Sequence, residues 1–433
     1  MKVCKFGGSS VAEAAQIRKV KSIVEQDPSR RIIVVSAPGK RNKQDEKITD
    51  LLYSCHAKVQ KDESIDATFE IIRSRFLEIA RELELTGSLE DAIDEVEEKI
   101  KAGASADYAA SRGEYLSGLL IAQLLEADFV DAEQVVRLTD DGQVHENSYQ
   151  LVAQRMMERK TYVLPGFYGA TLDGTLKTFS RGGSDISGAI AARGVGAEVY
   201  ENWTDVSGIL MADPRVVDQP KPIEEITYRE IREMASVGAN VFHEEAIAPV
   251  KLLGIPINVK NTNAPDDKGT FIVAERDTSK AAVVGVSGKK PYRKIMIEKF
   301  MLNRYPQFPL QIQEALKKLS ISVDFELKGF DTLALFAASE GEVDWAGLAG
   351  AVEKNLNADS CSVGEELAVL GVVGEGLAAQ GQVVGMVLET LKEHSIPVEA
   401  LNYGGSPITL LVAVPLESYT LALQSLAKGV EQL

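Results

Sequence analysis

Through roughly the first 275 residues, short apolar and β-branched runs alternate with longer stretches whose apolar positions recur every three or four residues. The short runs predict strands at Val3–Phe6, Ile32–Ser36, Phe129–Asp131, Tyr162–Leu164, Glu198–Asn202 and Ile257–Lys260. The longer stretches predict helices at Val11–Glu25, Asp66–Leu83, Leu89–Lys101, Asp107–Glu126 and Ser184–Val195. Strand and helix in alternation imply an α/β region with a largely parallel central sheet sandwiched by helices. The acidic stretch from Leu83 to Lys101 fits this pattern, because Leu89, Ile93, Val96 and Ile100 fall on one helical face.

The pattern changes after Asn261–Lys268, a polar join with Pro265. Leu316–Asp324, LKKLSISVD, reappears as Leu391–Glu399, LKEHSIPVE. Each copy follows a predicted strand (Lys294–Phe300; Leu367–Val373) and sits in a predicted helix (Leu310–Leu319; Val383–His394) that leads into two more strands and a final helix (Trp345–Leu356; Ser418–Leu426). Two such units of roughly 70 residues read as paired ferredoxin-like modules, since a solenoid needs three or more repeats. The expected division is 1–275, 285–362 and 363–433.

Composition narrows the chemistry. A formal charge of −17, from 64 acidic against 47 basic residues, argues against nucleic acid or a membrane surface as partner. Any phosphate must be held locally. Cys4, Cys55 and Cys361 form no framework, and four dispersed histidines show no metal-ligand spacing, so neither a disulfide nor a protein-held metal site is expected. Met1 runs directly into a strand without a leader, and no apolar run reaches the ~18 residues that span a bilayer, which places the protein in the cytoplasm.

Four segments carry candidate chemistry. Lys5-Phe6-Gly7-Gly8-Ser9-Ser10 lies where a strand hands over to a helix, so paired glycines, free helix N–H groups and an ammonium can converge on a phosphate. A tight turn would show the same glycines. Phe179–Asp185, FSRGGSD, again opens a helix: Arg181 offers a fork for an anion, and Ser184 or Asp185 can cap. The alternative is a capped helix start beside a solvated arginine. In Ser111-Arg112-Gly113-Glu114 a mid-helix glycine costs ~1 kcal/mol, and a ligand beside that face would explain it. Trp203–Gly208 and Ala212–Arg215 follow a strand at the carboxyl edge where open α/β sheets bind ligands, although a turn-rich loop reads alike.

Taken in order, KFGGSS at Lys5–Ser10, VVSAPGK at Val34–Lys40, SRGE at Ser111–Glu114, RGGSD at Arg181–Asp185 and TDVSGILMADPRVV at Thr204–Val217 resemble the aspartate kinases of the amino-acid kinase family. The resemblance runs the whole length and implies the amino-acid kinase fold followed by two ferredoxin-like ACT domains. It implies that Lys5, Gly7, Gly8 and Ser9 hold the transferring phosphates of ATP, and that Thr204, Asp205 and Arg215 line the nucleotide pocket. Ser36, Thr49, Glu114, Phe167, Arg181 and Ser184 would surround L-aspartate, with Glu114 on its ammonium, Arg181 on a carboxylate and Asp185 orienting Lys5. Mg²⁺ would accompany the nucleotide. Met301 and Asp324 would meet a lysine or threonine effector, and the ACT domains would pair two copies into a homodimer, with a tetramer also open.

Three positions depart from the family's habit. Asn240 stands where a lysine is common, Leu210 where a tyrosine is frequent, and Asn303–Phe308 lacks the glycine that shapes an effector loop. Three readings compete with a lysine-regulated aspartate kinase: a relative acting on another acceptor, a silent amino-acid-binding regulator, and an aspartate kinase dedicated to a specialised product and free of lysine feedback. No dehydrogenase-like region follows the second repeat, so a fused bifunctional enzyme is not expected.

Overall fold

The computed structural model describes residues 1–433 apart from 88, 181, 240, 241, 243, 340–342, 380, 432 and 433. The chain separates into two compact units. The first comprises Met1–Ile209, Pro222–Tyr228 and Val241–Arg276; the second comprises Leu210–Lys221, Arg229–Asn240 and Asp277–Leu433.

The first unit is built on an eight-stranded sheet. Its strands are β1 (Lys2–Phe6), β2 (Arg30–Val35), β3 (Asp128–Phe129), β4 (Tyr162–Pro165), β5 (Val199–Thr204), β6 (Glu225–Thr227), β7 (Ile257–Asn261) and β8 (Thr270–Val273), in the order β3-β4-β2-β1-β5-β7-β8-β6. From β3 to β7 every neighbour is parallel, and β8 turns antiparallel against β7. Parallel central strands are covered on both faces, which is why Ile32–Val35 reads as an unbroken apolar run and is fully buried, as are Val3, Cys4 and Phe6 on either side of Lys5.

On one face lie α1 (Ala14–Gln26), α2 (Ile48–Val59), α3 (Asp66–Glu82), α4 (Leu89–Lys101) and α5 (Ala106–Leu124). Their apolar stripes meet in one core around Val20, Ile33, Leu52, Phe69, Phe76 and Ile93. The acidic helix α4 turns only Leu89, Ile93, Val96 and Ile100 inward. Helix α5 starts where the Ser105 side chain accepts the Tyr108 N–H. Helix α6 (Gly183–Val195) packs against the sheet close enough that a Cβ on Gly188 would lie 2.4 Å from the Tyr200 hydroxyl. A small sheet of Arg137–Leu138, Tyr168–Thr171 and Leu176–Thr178 completes the unit. Among the described residues no helix is long and apolar enough to cross a membrane.

The second unit holds helix α7 (Tyr228–Ser236), whose residues from Arg229 onward belong to it, and a six-stranded antiparallel sheet. The sheet's elements follow as β9 (Gly285–Glu298), α8 (Phe308–Lys318), β10 (Ile321–Lys328), β11 (Thr332–Ser339), α9 (Trp345–Leu356), β12 (Ser360–Val373), α10 (Gln382–Glu393), β13 (Ala400–Tyr403), β14 (Thr409–Pro415) and α11 (Tyr419–Val430). Strand order is β10-β11-β9-β12-β14-β13, so the two 14-residue strands β9 and β12 lie at the centre and pair from end to end. The strand–helix–strand–strand–helix repeat seen in the sequence is present twice on this shared pair.

Candidate active site

The site is assembled at the carboxyl ends of the parallel strands, where chain after chain leaves the sheet. Phe6 lies in register with both Val35 and Trp203, and Val35 with Pro165, so the segments after β1, β2, β4 and β5 emerge side by side. After β1 the backbone continues through Gly7, whose N–H donates to the Trp203 carbonyl at 3.0 Å, into a short 3-10 turn over Gly8–Val11. The amides of Gly8 and Ser9, first in that turn, have no acceptor within it and are free for an anion. Helix α1 begins only at Ala14, so a 3-10 turn stands where a helix start was expected to cradle a phosphate. Glycine is needed at Gly39, whose N–H donates to the Gly8 carbonyl at 2.9 Å: a Cβ on Gly39 would sit 2.8 Å from the Gly8 carbonyl carbon.

Lys5, 8% exposed, reaches the first turn of α6 and pairs with Asp185 Oδ1 at 2.6 Å. The same oxygen accepts the Asn202 amide N–H at 2.8 Å, and the Tyr200 hydroxyl donates to the Asp185 backbone carbonyl at 3.0 Å. Neither Ser184 nor Asp185 caps α6. The cap position is Gly182, at φ 60°, which has no side chain to accept a bond, and the Asp185 carboxylate is engaged by Lys5 and Asn202. The structure thus pairs Lys5 with Asp185, the residue expected to orient it.

The strands also bring Ser36, Phe167 and Ser184 side by side. Ser36 follows β2, its N–H donating to the Phe6 carbonyl at 3.2 Å; the Gly166 N–H donates to Val35 at 2.9 Å. A Cβ on Gly166 would lie 2.7 Å from Ser184 Cβ, so the end of β4 rests on the start of α6. Between them Phe167 adopts φ 77°, a left-handed conformation that strains a bulky residue by ~1–3 kcal/mol. It is held by its N–H to Ser187 Oγ at 3.1 Å and by its carbonyl accepting the Phe179 N–H at 2.9 Å.

Glu114 is 5% exposed, and its Oε2 has no hydrogen-bond partner among the described residues. Burial pushes its carboxyl up to about 8, against the Ala37 N–H and the Arg112 charge, which favour ionisation. Gly113 corrects one expectation. A Cβ there would lie 2.7 Å from Ala37 Cβ and 3.2 Å from Ile48 Cγ2, so the missing side chain is demanded by the loop after β2 and by α2. That packing sets Ala37 beside Gly113 and its neighbour Glu114; Thr49 follows Ile48 on α2. Arg112 belongs to the packing as well, its guanidinium lying over Tyr108, Tyr115 and Tyr168 at 4.5, 4.6 and 5.1 Å.

Thr204 ends β5, its hydroxyl donating to Asp205 Oδ1 at 3.1 Å, and Asp205 is exposed. Arg215 falls in the second unit, largely solvent-exposed and paired with Asp213 at 2.7 Å. Arg181 and Asn240 lie outside the described residues. Met301 takes a left-handed conformation, its N–H donating to Asp331 at 2.8 Å; Asp324 is already engaged by the Lys289 ammonium and by the Tyr292 hydroxyl at 2.6 Å. Residue-by-residue reading missed Asn202, although an amide inside an otherwise buried strand was the available signal. It also missed the Gly39 contact, for which the sequence carries none.

The donor set holds no cluster of three or more His, Cys, Asp or Glu side chains fit for a metal among the described residues. Mg²⁺ suits this site only as an ion carried by nucleotide phosphates, for it keeps waters and needs one or two carboxylates at most.

Residues 1–261 match the profile of the amino acid kinase family. Over 445 residues the chain is 35% identical to aspartokinase 3 of Bacillus subtilis (strain 168), covering 98% of each. The crystal structure of Clostridium acetobutylicum aspartate kinase is similar at 40% identity and TM-score 0.93, over 99% of this chain and 100% of that one. E. coli aspartokinase III in complex with aspartate and ADP is similar at 25% identity and TM-score 0.76, over 99% of both chains. With the phosphate turn, the Lys5–Asp185 pair and the second antiparallel unit in place, the chain belongs to the amino-acid kinase family, and within it to the aspartokinases.

Proposed function

We propose that this chain transfers the γ-phosphoryl group of ATP to the side-chain carboxylate of L-aspartate, giving 4-phospho-L-aspartate. The observation that carries this reading is Glu114, a buried carboxyl with an unpartnered oxygen, which suits the ammonium of a small amino acid. The E. coli relative binds aspartate and ADP, which supports the same pair of substrates here.

In this reading Ser36, Thr49, Phe167, Ser184 and Arg181 complete the aspartate pocket, while Thr204, Asp205 and Arg215 serve the nucleotide. The acceptor carboxylate, with a pKa of about 4, is already a nucleophile at neutral pH, so the site needs no general base. Lys5 commits one of its three N–H donors to Asp185 and keeps two for the phosphates. Together with the Gly8 and Ser9 amides it stabilises the charge that spreads over the transferring group. Mg²⁺, bridging the phosphates, would neutralise part of that charge.

Residues 285–362 and 363–433 act in this reading as ACT modules sensing an end-product amino acid, lysine or threonine, within a cytoplasmic homodimer or tetramer. The product enters aspartate-family biosynthesis. Trapping aspartyl phosphate as the hydroxamate, with and without lysine and threonine, tests the reading. The Lys5→Ala variant is expected to lose ~10²–10³-fold in kcat, the scale of one charge-stabilising donor. A parent-like rate in that variant sinks it.

A further inference from the structure

Strands β1 and β5 are parallel neighbours, and Lys5 stands in register with Asn202. Both side chains rise on one face and meet a single atom, Asp185 Oδ1, at 2.6 Å from the ammonium and 2.8 Å from the amide. Asn202 is 4% exposed. Tyr200, two residues earlier on the same face, fixes the other end of Asp185 through its backbone carbonyl, in the space left open by Gly188. Asp185 is therefore gripped by side chain and by backbone, from one strand.

We propose that Asn202 is a positioning residue for phosphoryl transfer, holding the Asp185 carboxylate so that Lys5 keeps one fixed bond to it and aims its remaining donors at the phosphates. This rests on the role assigned above to Lys5. A lysine ammonium on a flexible stem has no preferred direction of its own. Held by Asn202, the carboxylate cannot rotate to present both oxygens to Lys5 and draw the ammonium off line. An amide is the suitable partner because it donates without adding charge. A carboxylate at position 202 would compete for Lys5, and a cation there would compete with it for Asp185. The mid-strand position supplies the rigidity that a loop residue would lack.

The test is a double-mutant cycle on the full-length enzyme, followed by the hydroxamate assay. Asn202→Leu keeps the branched heavy-atom skeleton and lacks the donor; it is expected to lower kcat about 10- to 100-fold with the KM for aspartate within about twofold, the cost of a misaligned reacting group. In an Asp185→Asn background, where the carboxylate to be held is gone, the same substitution should change kcat less than about twofold. A parent-like kcat in Asn202→Leu, or an equal loss in both backgrounds, overturns the proposal and leaves Asn202 a packing residue. If leucine prevents folding, Asn202→Ala, which removes the donor without adding charge, runs the same cycle with the same criteria. Lys5→Ala is assayed alongside: full activity there removes the underlying reading, whereas loss there with full activity in Asn202→Leu removes only the positioning role.

Discussion

Glu114 shows how one buried side chain can report on a ligand. Its carboxyl, ordinarily near 4.5, is pushed by burial up to about 8. Between those values the folded state holds a proton that the unfolded chain has released, so this group's contribution to stability falls as pH rises through the window and reaches its full penalty above it. At pH 7 such a group is about nine-tenths protonated. Pairing with a substrate ammonium requires the ionised form. Aspartate binding should therefore release close to one proton at pH 7, measured as buffer-dependent heat in isothermal titration, and Glu114→Gln should release none. An equal heat in buffers of different ionisation enthalpy would deny the pairing. The sequence named Glu114 through its motif, but its neighbours were legible to different degrees. Gly113 announced a close approach without saying that Ala37 makes it, because that contact joins residues 76 apart. Phe167 was named, whereas its left-handed backbone was not, since nothing in a phenylalanine codes for φ 77°.

At the scale of elements, the loop between β2 and α2 is held from outside the site. Arg75 on α3 pairs with Asp45 at 2.6 Å and donates to the Gly39 carbonyl at 3.2 Å, while Gly39 itself lies against Gly8. Arg75→Leu is expected to leave Asp45 held by Arg41, lower stability by about 1–2 kcal/mol in urea unfolding, and raise the KM for both substrates by loosening the Gly8–Gly39 contact. Unchanged KM values would confine Arg75 to stability. The elements themselves were mostly readable where periodicity was long and clean: α4 and α9 match their predicted bounds, and β1, β2 and β4 match to within two residues at either end. Helix α2 went unpredicted between a highly charged loop and a short apolar stripe. The small sheet did too, because strands of two to four residues carry too little alternation to be seen.

The whole molecule puts segments together that sequence order keeps apart. Leu210–Lys221 and Arg229–Asn240, drawn from the middle of the chain, fold with the C-terminal unit. The Val286 N–H donates to Met211 at 2.7 Å, and Glu233 on α7 accepts the hydroxyls of Ser406 and Thr409, each at 2.8 Å. A linear reading ends the first region near residue 275 and has no signal for such returns. In the same unit Lys289 already places an ammonium on Asp324, the carboxylate expected to meet an effector. If lysine is the effector sensed, it must displace this internal ammonium, so Lys289→Ala is expected to lower the lysine concentration that slows the hydroxamate reaction. Strong inhibition of the parent enzyme by lysine would show that the internal pair yields readily.

The central pair β9 and β12 leads further. Each is 14 residues long and serves both repeats, so the two modules have one backbone ladder in common where two separate seams might have been expected. Neither can come apart alone without breaking rungs that belong to its twin. Amide deuteration along Gly285–Glu298 should accordingly proceed with one common opening free energy from end to end.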